Sequence, residues 1–354
     1  MRKEYRLKEI KSFPSVRTVF ASAISKLIPN SFYKYLMESK HINFGIETTN
    51  ICNANCSFCG YRYMDRKKTV MGMDVYKRAI DEYAASGGGA VNFTPTVGDP
   101  LVDKQIVKKI QYARNYKNIK SIFFYTNAIL LNRYDLEEFL LSGITRLAIS
   151  TYIGSKEGYE KFYGKDKYET VVKNILDISE KNQELGRPVH MTLHLRTSNN
   201  ESDWRVTEEY KKLAMLIGET NITFLESYDA WSGLIKKEDL PSGCGLEEPL
   251  PIEEKKHSPC FELYRRVHVL SDGNVGACIC SDLESEINIG NINDNTLDEI
   301  WKGEPIKNYR KNWVKGKLPD VCVSCTRYMP VEEFIENNQR RILSDYLRRK
   351  FSSI

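Results

Sequence analysis

From residue 42 onward the chain repeats one unit, a short β-branched and aromatic run followed by a stretch with apolar residues at helical spacing. The runs are INFGIET (42–48), AVNFTPT (90–96), SIFFYT (121–126), RLAIST (146–151), VHMTLHL (189–195) and ITFLES (222–227). Between them the periodicity predicts helices over 73–86, 104–117, 135–142, 167–184 and 202–216. Units of this kind in register favour a parallel sheet that curls toward a barrel. Six units leave such a barrel incomplete, so the expected fold class is α/β, a partial (β/α)6 barrel of TIM type. Chemistry in these folds gathers at the C-terminal ends of the strands.

A cysteine loop follows the first strand. TTNICNANCSFCGYRY places Cys52, Cys56 and Cys59 as C-x3-C-x2-C, with Phe58 just before the third. A tetrahedral structural metal site needs four protein ligands, so three local thiolates mean either a distant fourth ligand or an open coordination position. Nine cysteines in C-x3-C and C-x2-C groups point to metal or cluster ligation before disulfides in a reducing compartment. The start of the chain mixes both charge signs without an apolar signal region, and no apolar run nears the roughly 20 residues of a membrane span, so a cytoplasmic protein is expected.

The C-x3-C-x2-C loop with its aromatic resembles the radical S-adenosylmethionine (SAM) enzymes. That resemblance implies that Cys52, Cys56 and Cys59 hold a [4Fe-4S] cluster whose fourth iron is chelated by SAM. One electron from the cluster then breaks a C–S bond, and a 5'-deoxyadenosyl radical takes hydrogen from a substrate. TVGDPL (96–101) looks like the family's Gly-Gly-Glu-Pro turn, with Val97 for the first Gly, Gly98 retained and Asp99 for the Glu that receives the SAM amino group. YTNAILL resembles the third-strand Thr-Asn-Gly segment, with Asn127 as its polar member and Ala128 for Gly. Ser150, ending the fourth strand, matches a polar residue offered to SAM, and Arg196, ending the fifth, is placed like the arginine that pairs with the SAM carboxylate. Each of these could instead serve as a cap or turn residue.

The pattern breaks over 228–258, rich in Gly, Pro and charge, which reads as a linker. Beyond it RRVHVLSDGNVGACIC predicts a hairpin around an Asp-Gly turn, and NTLDEIWKG predicts a helix opened by a Thr296/Glu299 capping box. Cys260, Gly273, Cys278, Cys322 and Cys325 are spaced like the opening of the SPASM domain and, with no cysteine after Cys325, like its shortened twitch form. The implied group is one auxiliary [4Fe-4S] cluster ligated by Cys260, Cys278, Cys322 and Cys325. A four-cysteine zinc ribbon fits the paired spacing too. Four regions are expected: a basic N-terminal helical extension (1–41), the radical SAM core (42–235), a small β-hairpin/helix cluster-binding domain (236–330) and a basic C-terminal helix (331–354).

The net charge of +5 gives no nucleic-acid signature. Residues 1–40 hold nine Lys/Arg against three acids, with Val16, Val19, Phe20, Ala23 and Leu27 at helical spacing; a surface helix is favoured over peripheral membrane contact. The function expected by analogy is hydrogen abstraction from a polar small molecule of the sugar or aminocyclitol class, giving oxidation, dehydration or epimerisation, with a flavodoxin or ferredoxin as electron donor. The alternatives are a peptide or protein maturase and a non-catalytic zinc or iron-sulfur protein that docks on nucleic acid. Cys280 and Cys244 stand outside the ligand set and are candidate hydrogen donors, Cys280 because alternation would put it on the strand face of Cys278. Tyr125, Tyr152, Tyr163 and the WSG at 231–233 are candidates for substrate contact.

Overall fold

The structure, a computed structural model, describes residues 28–41, 43–198, 204–255 and 257–351; the basic segment carrying Val16 to Leu27 lies outside them. Six parallel strands appear in the expected order: β1 (Asn43–Ile46), β2 (Gly89–Asn92), β3 (Ile119–Thr126), β4 (Arg146–Thr151), β5 (His190–Arg196) and β6 (Ile222–Leu225). Alternation decides their faces. In β5, Met191, Leu193 and Leu195 are buried while Thr192, His194 and Arg196 are not fully so, and in β3 Ile122 and Phe124 are buried against an exposed Tyr125. The buried set joins one core with the helix residues Ile80, Tyr83, Ile110, Phe139, Ile175 and Leu213. Side-chain caps start the helices where strand exits must turn: Asp135 accepts from Glu138 N–H at 2.8 Å and Ser155 from Gly158 N–H at 3.0 Å.

After β6 come β7 (Ser227–Tyr228) and β8 (Gly245–Leu246), a two-stranded parallel pair, then β9 (Arg266–Val269), β10 (Asn274–Gly276) and β11 (Asn288–Asn291). Strand β9 pairs in parallel with β1, so the sheet runs β11-β10-β9-β1-β2-β3-β4-β5-β6 with two free edges, an open barrel. The C-terminal hairpin therefore continues the first sheet. Its turn forms where Gly273 takes φ 91° and Asp272 accepts from Asn274 N–H at 3.0 Å. The capping box at Thr296 is present, with Thr296 N–H donating to Glu299 at 2.8 Å and Glu299 N–H to Thr296 Oγ1 at 3.2 Å.

Three expectations change. The stretch 228–258 is not a bare linker, since β7 and β8 lie in or beside it and Ile235, Leu240 and Cys244 are buried. Cys278 and Cys280 are not on a strand: the ladder shifts register at Val275/Gly276 and the strand ends there, so face-sharing by alternation does not apply. A helix not expected, Lys156–Tyr163, precedes the expected long one, which spans Tyr168–Glu184. The helix Asn30–Ser39 is tied down by the Trp301 indole N–H donating to Met37 O at 3.0 Å.

Candidate active site

The cysteine loop leaves β1 at the C-terminal edge of the sheet and is held by backbone. Asn55 N–H donates to Tyr163 O at 3.0 Å, Ser57 N–H to Phe162 O at 2.9 Å and Cys59 N–H to Cys56 O at 3.3 Å. Cys59 caps a single helical turn, its sulfur accepting from Tyr61 N–H at 3.5 Å. All three thiols are reduced and partly buried. Burial, then the nearby Asp99, pushes the Cys52 thiol up to about 12, and burial followed by its two neighbouring cysteines raises Cys56 well above its usual value. Thiolates that raise one another in this way need positive charge among them, which is what ligated iron would supply. The guanidinium of Arg196 acts in that direction on Cys56 and Cys59.

Residues from four strand ends meet the loop. Arg196 lies over the Phe58 ring at 4.8 Å and over Tyr228 at 5.6 Å, and its Nε donates to Ser150 Oγ at 3.1 Å. The stack and the bond fix the plane of a group that has further donors to offer. Asn127 donates from Nδ2 to Asn53 Oδ1 at 2.8 Å and approaches Cys52 Sγ at 3.9 Å, while its Oδ1 accepts from Ile129 N–H at 2.9 Å. Gly98, at φ 131°, lets its turn press against the loop: a Cβ there would stand 3.1 Å from Thr49 O.

Asp99 is repositioned by the structure. Its buried carboxylate accepts from Leu101 N–H at 2.9 Å, Asn127 N–H at 2.8 Å and Thr126 Oγ1 at 2.9 Å, so the acid holds the turn and the third-strand segment together. The shorter side chain that replaces Glu is engaged inward, which leaves backbone as the part of this turn able to face a ligand. Tyr152 and Tyr163 are buried in aromatic stacks with Phe162 and Tyr159 and act in packing.

Tyr125 is 40% exposed, its ring 5.2 Å from His194, which bonds Thr192 at 3.2 Å. Thr192, His194 and Arg196 share one face of β5 by alternation, so a polar lane runs from Arg196 down the open face of the sheet. Burial, then Arg196 and Arg146, lowers His194 to about 4, and the imidazole is neutral near pH 7. Sequence reading missed His194; its place two residues before Arg196 on a strand was the available signal.

The second group of thiols comes from separate segments. Electrostatic contact links Cys260 with Cys280 and Cys325, and Cys322 with Cys260 and Cys325. Cys280 is hydrogen-bonded to Cys278, and its N–H donates to Cys278 Sγ at 3.3 Å. Five cysteines thus act electrostatically on one another here, where four were expected, although among the described residues no three side chains stand close enough together to hold a metal ion. Cys244 lies elsewhere, buried, with its thiol donating to Thr197 O at 3.7 Å and in hydrogen-bond contact with Tyr228. No helix among the described residues is long and apolar enough to cross a membrane.

Two family models match the chain, one over the region of each cysteine group. Residues 46–210 match the family model of the radical SAM superfamily, and residues 260–326 match that of SPASM, an iron-sulfur cluster-binding domain. The chain is 23% identical over 309 residues to the PqqA peptide cyclase of Gluconobacter oxydans, spanning 79% of this chain and 81% of the relative. Among solved structures, BtrN in complex with AdoMet and 2-DOIA superposes with a TM-score of 0.51 at 17% identity, over 81% of this chain and 93% of that one. Streptococcus suis SuiB bound to precursor peptide SuiA gives 0.55 at 14% identity, over 87% and 74%. At these identities the structures share the fold.

Proposed function

Since the chain belongs to the radical SAM superfamily and carries a C-terminal SPASM domain, its cofactors are S-adenosylmethionine and two [4Fe-4S] clusters, and we propose that it oxidises a polar small molecule by hydrogen abstraction. When bound, the first cluster and SAM supply the radical chemistry, with the electron coming from an external donor of the flavodoxin or ferredoxin kind. Cys52, Cys56 and Cys59 hold that cluster; Cys260, Cys278, Cys322 and Cys325 hold the auxiliary one. We keep residue 235 as the functional boundary between the two regions, although the sheet crosses it.

The observation that carries the reading is Arg196, stacked on Phe58 and bonded to Ser150 above the cysteine loop. A planar guanidinium fixed in this way can donate two parallel hydrogen bonds to the SAM carboxylate. Phe58, Tyr228 and the Tyr159–Tyr163 stack wall the loop with rings and exclude water. Below Arg196, the lane of Tyr125, Thr192 and neutral His194 offers hydroxyls and an imidazole to a hydroxylated or aminated substrate. Both spare thiols are engaged in hydrogen bonds, Cys280 with Cys278 and Cys244 with Thr197, which supports oxidation over epimerisation.

A peptide substrate is the second reading, supported by the similarity to the PqqA peptide cyclase along most of the chain. Deuterated candidates decide between them. Deuterium entering 5'-deoxyadenosine from a sugar or aminocyclitol supports the first reading, and transfer from a labelled peptide alone supports the second.

A further inference from the structure

The stretch Asp229–Gly233 touches both cysteine sites. On one side the Trp231 indole N–H donates to Phe58 O at 3.1 Å, between Cys56 and Cys59, and its ring packs against Gly60, where a Cβ would come within 2.9 Å of it. Trp231 also joins Met64, Val97 and Leu283 in a small apolar cluster separate from the main core. On the other side Ser232 Oγ donates to Val321 O at 2.7 Å, and Ser324 Oγ donates to Ser232 O at 2.5 Å. These two bonds flank Cys322 and reach the residue before Cys325. Asp229 closes the arrangement, accepting from Trp231 N–H at 2.5 Å and from Arg327 Nε at 2.5 Å, while Arg327 N–H donates to Cys325 Sγ at 3.3 Å.

The backbone of this turn is held in an unfavourable region. Trp231 has φ 48° and Ser232 φ 56°, left-handed values that Gly233 at 86° adopts freely but a tryptophan does not. Such a conformation persists only where its surroundings over-determine it, and the contacts doing so here come from two different cysteine segments. Further links, Asp65 N–H to Glu284 at 2.8 Å and Arg66 Nε to Leu283 O at 3.0 Å, fasten the exit of the first loop to a segment whose Glu286 accepts from Val321 N–H at 3.4 Å, a longer and more exposed second route.

We infer that the Trp231–Ser232 turn couples the two cysteine sites, so that filling the C-terminal cage sets the SAM affinity of the first loop. An ordered cage fixes Val321 and Ser324; those fix Ser232; Trp231 then holds Phe58 O, and with it the ring on which Arg196 stacks. Coupling of this kind is reciprocal, so SAM also stabilises the cage. The inference rests on the two-cluster reading, and iron content separates failure of the one from failure of the other.

The test is a cycle on full-length, anaerobically reconstituted, oxidised protein, reading iron content and the equilibrium dissociation constant for SAM. Loss of the cage in the Cys322→Ala/Cys325→Ala protein is expected to weaken SAM binding about tenfold. The same loss in a Trp231→Phe/Ser232→Ala background is expected to change it less than about twofold, because the shorter connection is already cut and only the exposed Glu286 route remains. Ser232→Ala alone, a mild change that leaves the indole bond in place, should reduce the effect to about threefold. Equal fold-changes in all backgrounds, or no change on losing the cage, overturn the coupling. About four irons per wild-type chain in place of about eight overturns the two-cluster reading beneath it.

Discussion

The two cysteine sites are built in opposite ways. The first draws its thiols from one loop of eight residues, Cys52 to Cys59, whose backbone is already held by Phe162 and Tyr163. The second draws them from three places far apart in the chain, around Cys260, Cys278 and Cys322, and buried charge surrounds it: Glu262 bonds Arg265 at 2.6 Å and Arg266 at 2.7 Å. A group bound at the first closes no long loop and adds little to folding; one bound at the second cross-links distant segments and stabilises the region that holds it. The first site is furnished for a ligand, with Arg196, Ser150 and Asn127 around it, and the second for closure.

Removing one thiol from the first site and two from the second is the sharpest way to break that contrast. Cys56→Ala should lower SAM cleavage by at least about 10³-fold while moving the thermal midpoint by no more than about 2 °C, measured by 5'-deoxyadenosine formation and by circular dichroism. Cys322→Ala/Cys325→Ala should lose about four irons and lower the midpoint by about 5 °C, through loss of roughly 4 kcal/mol of cross-linking, yet still bind SAM. The reverse pattern of stability would contradict the assignment of roles.

Smaller changes probe the furnishing of the first site. Arg196→Lys keeps the charge but loses the fork and the flat stack on Phe58, and should weaken SAM binding about 30-fold, near 2 kcal/mol. Ser150→Ala removes one hydrogen bond to Arg196 and should weaken it about fivefold, near 1 kcal/mol. The smallest effect concerns pH. His194 takes up its proton near 4 in the folded chain and near 6.5 unfolded, so between these values the unfolded state binds more protons and stability falls as pH falls. Denaturant unfolding should show a shallower pH dependence across that window for His194→Gln than for wild type; parallel curves would remove His194 from the desolvated lane.

Much of this was legible before any coordinates because it depends on local pattern. Strand alternation placed β1 to β6, the capping box at Thr296 follows from residue chemistry at fixed spacing, and the cysteine loop declares itself by position after a strand. What was not legible depends on long-range packing. The union of β9 with β1 joins residues more than 200 apart in the chain. Asp99 reads as a ligand-facing acid until Thr126 and the Asn127 amide are found beside it. Cys280 reads as a strand neighbour of Cys278 because alternation assumes the strand continues, and a register shift at Gly276 ends it. Trp231 and Ser232 sit in a segment whose composition suggested a linker with a possible substrate contact at 231–233; their positive φ values are imposed by partners on either side.

The claim that one site is open and the other closed is tested most directly by electron paramagnetic resonance of proteins that retain a single reduced cluster. In Cys322→Ala/Cys325→Ala protein, which keeps the first cluster, addition of SAM should shift the signal, because a fourth iron is free to take the amino and carboxylate groups. In Cys52→Ala/Cys56→Ala/Cys59→Ala protein, which keeps the second, SAM should leave the signal unchanged. A SAM-induced shift from the second cluster, or none from the first, would contradict the account.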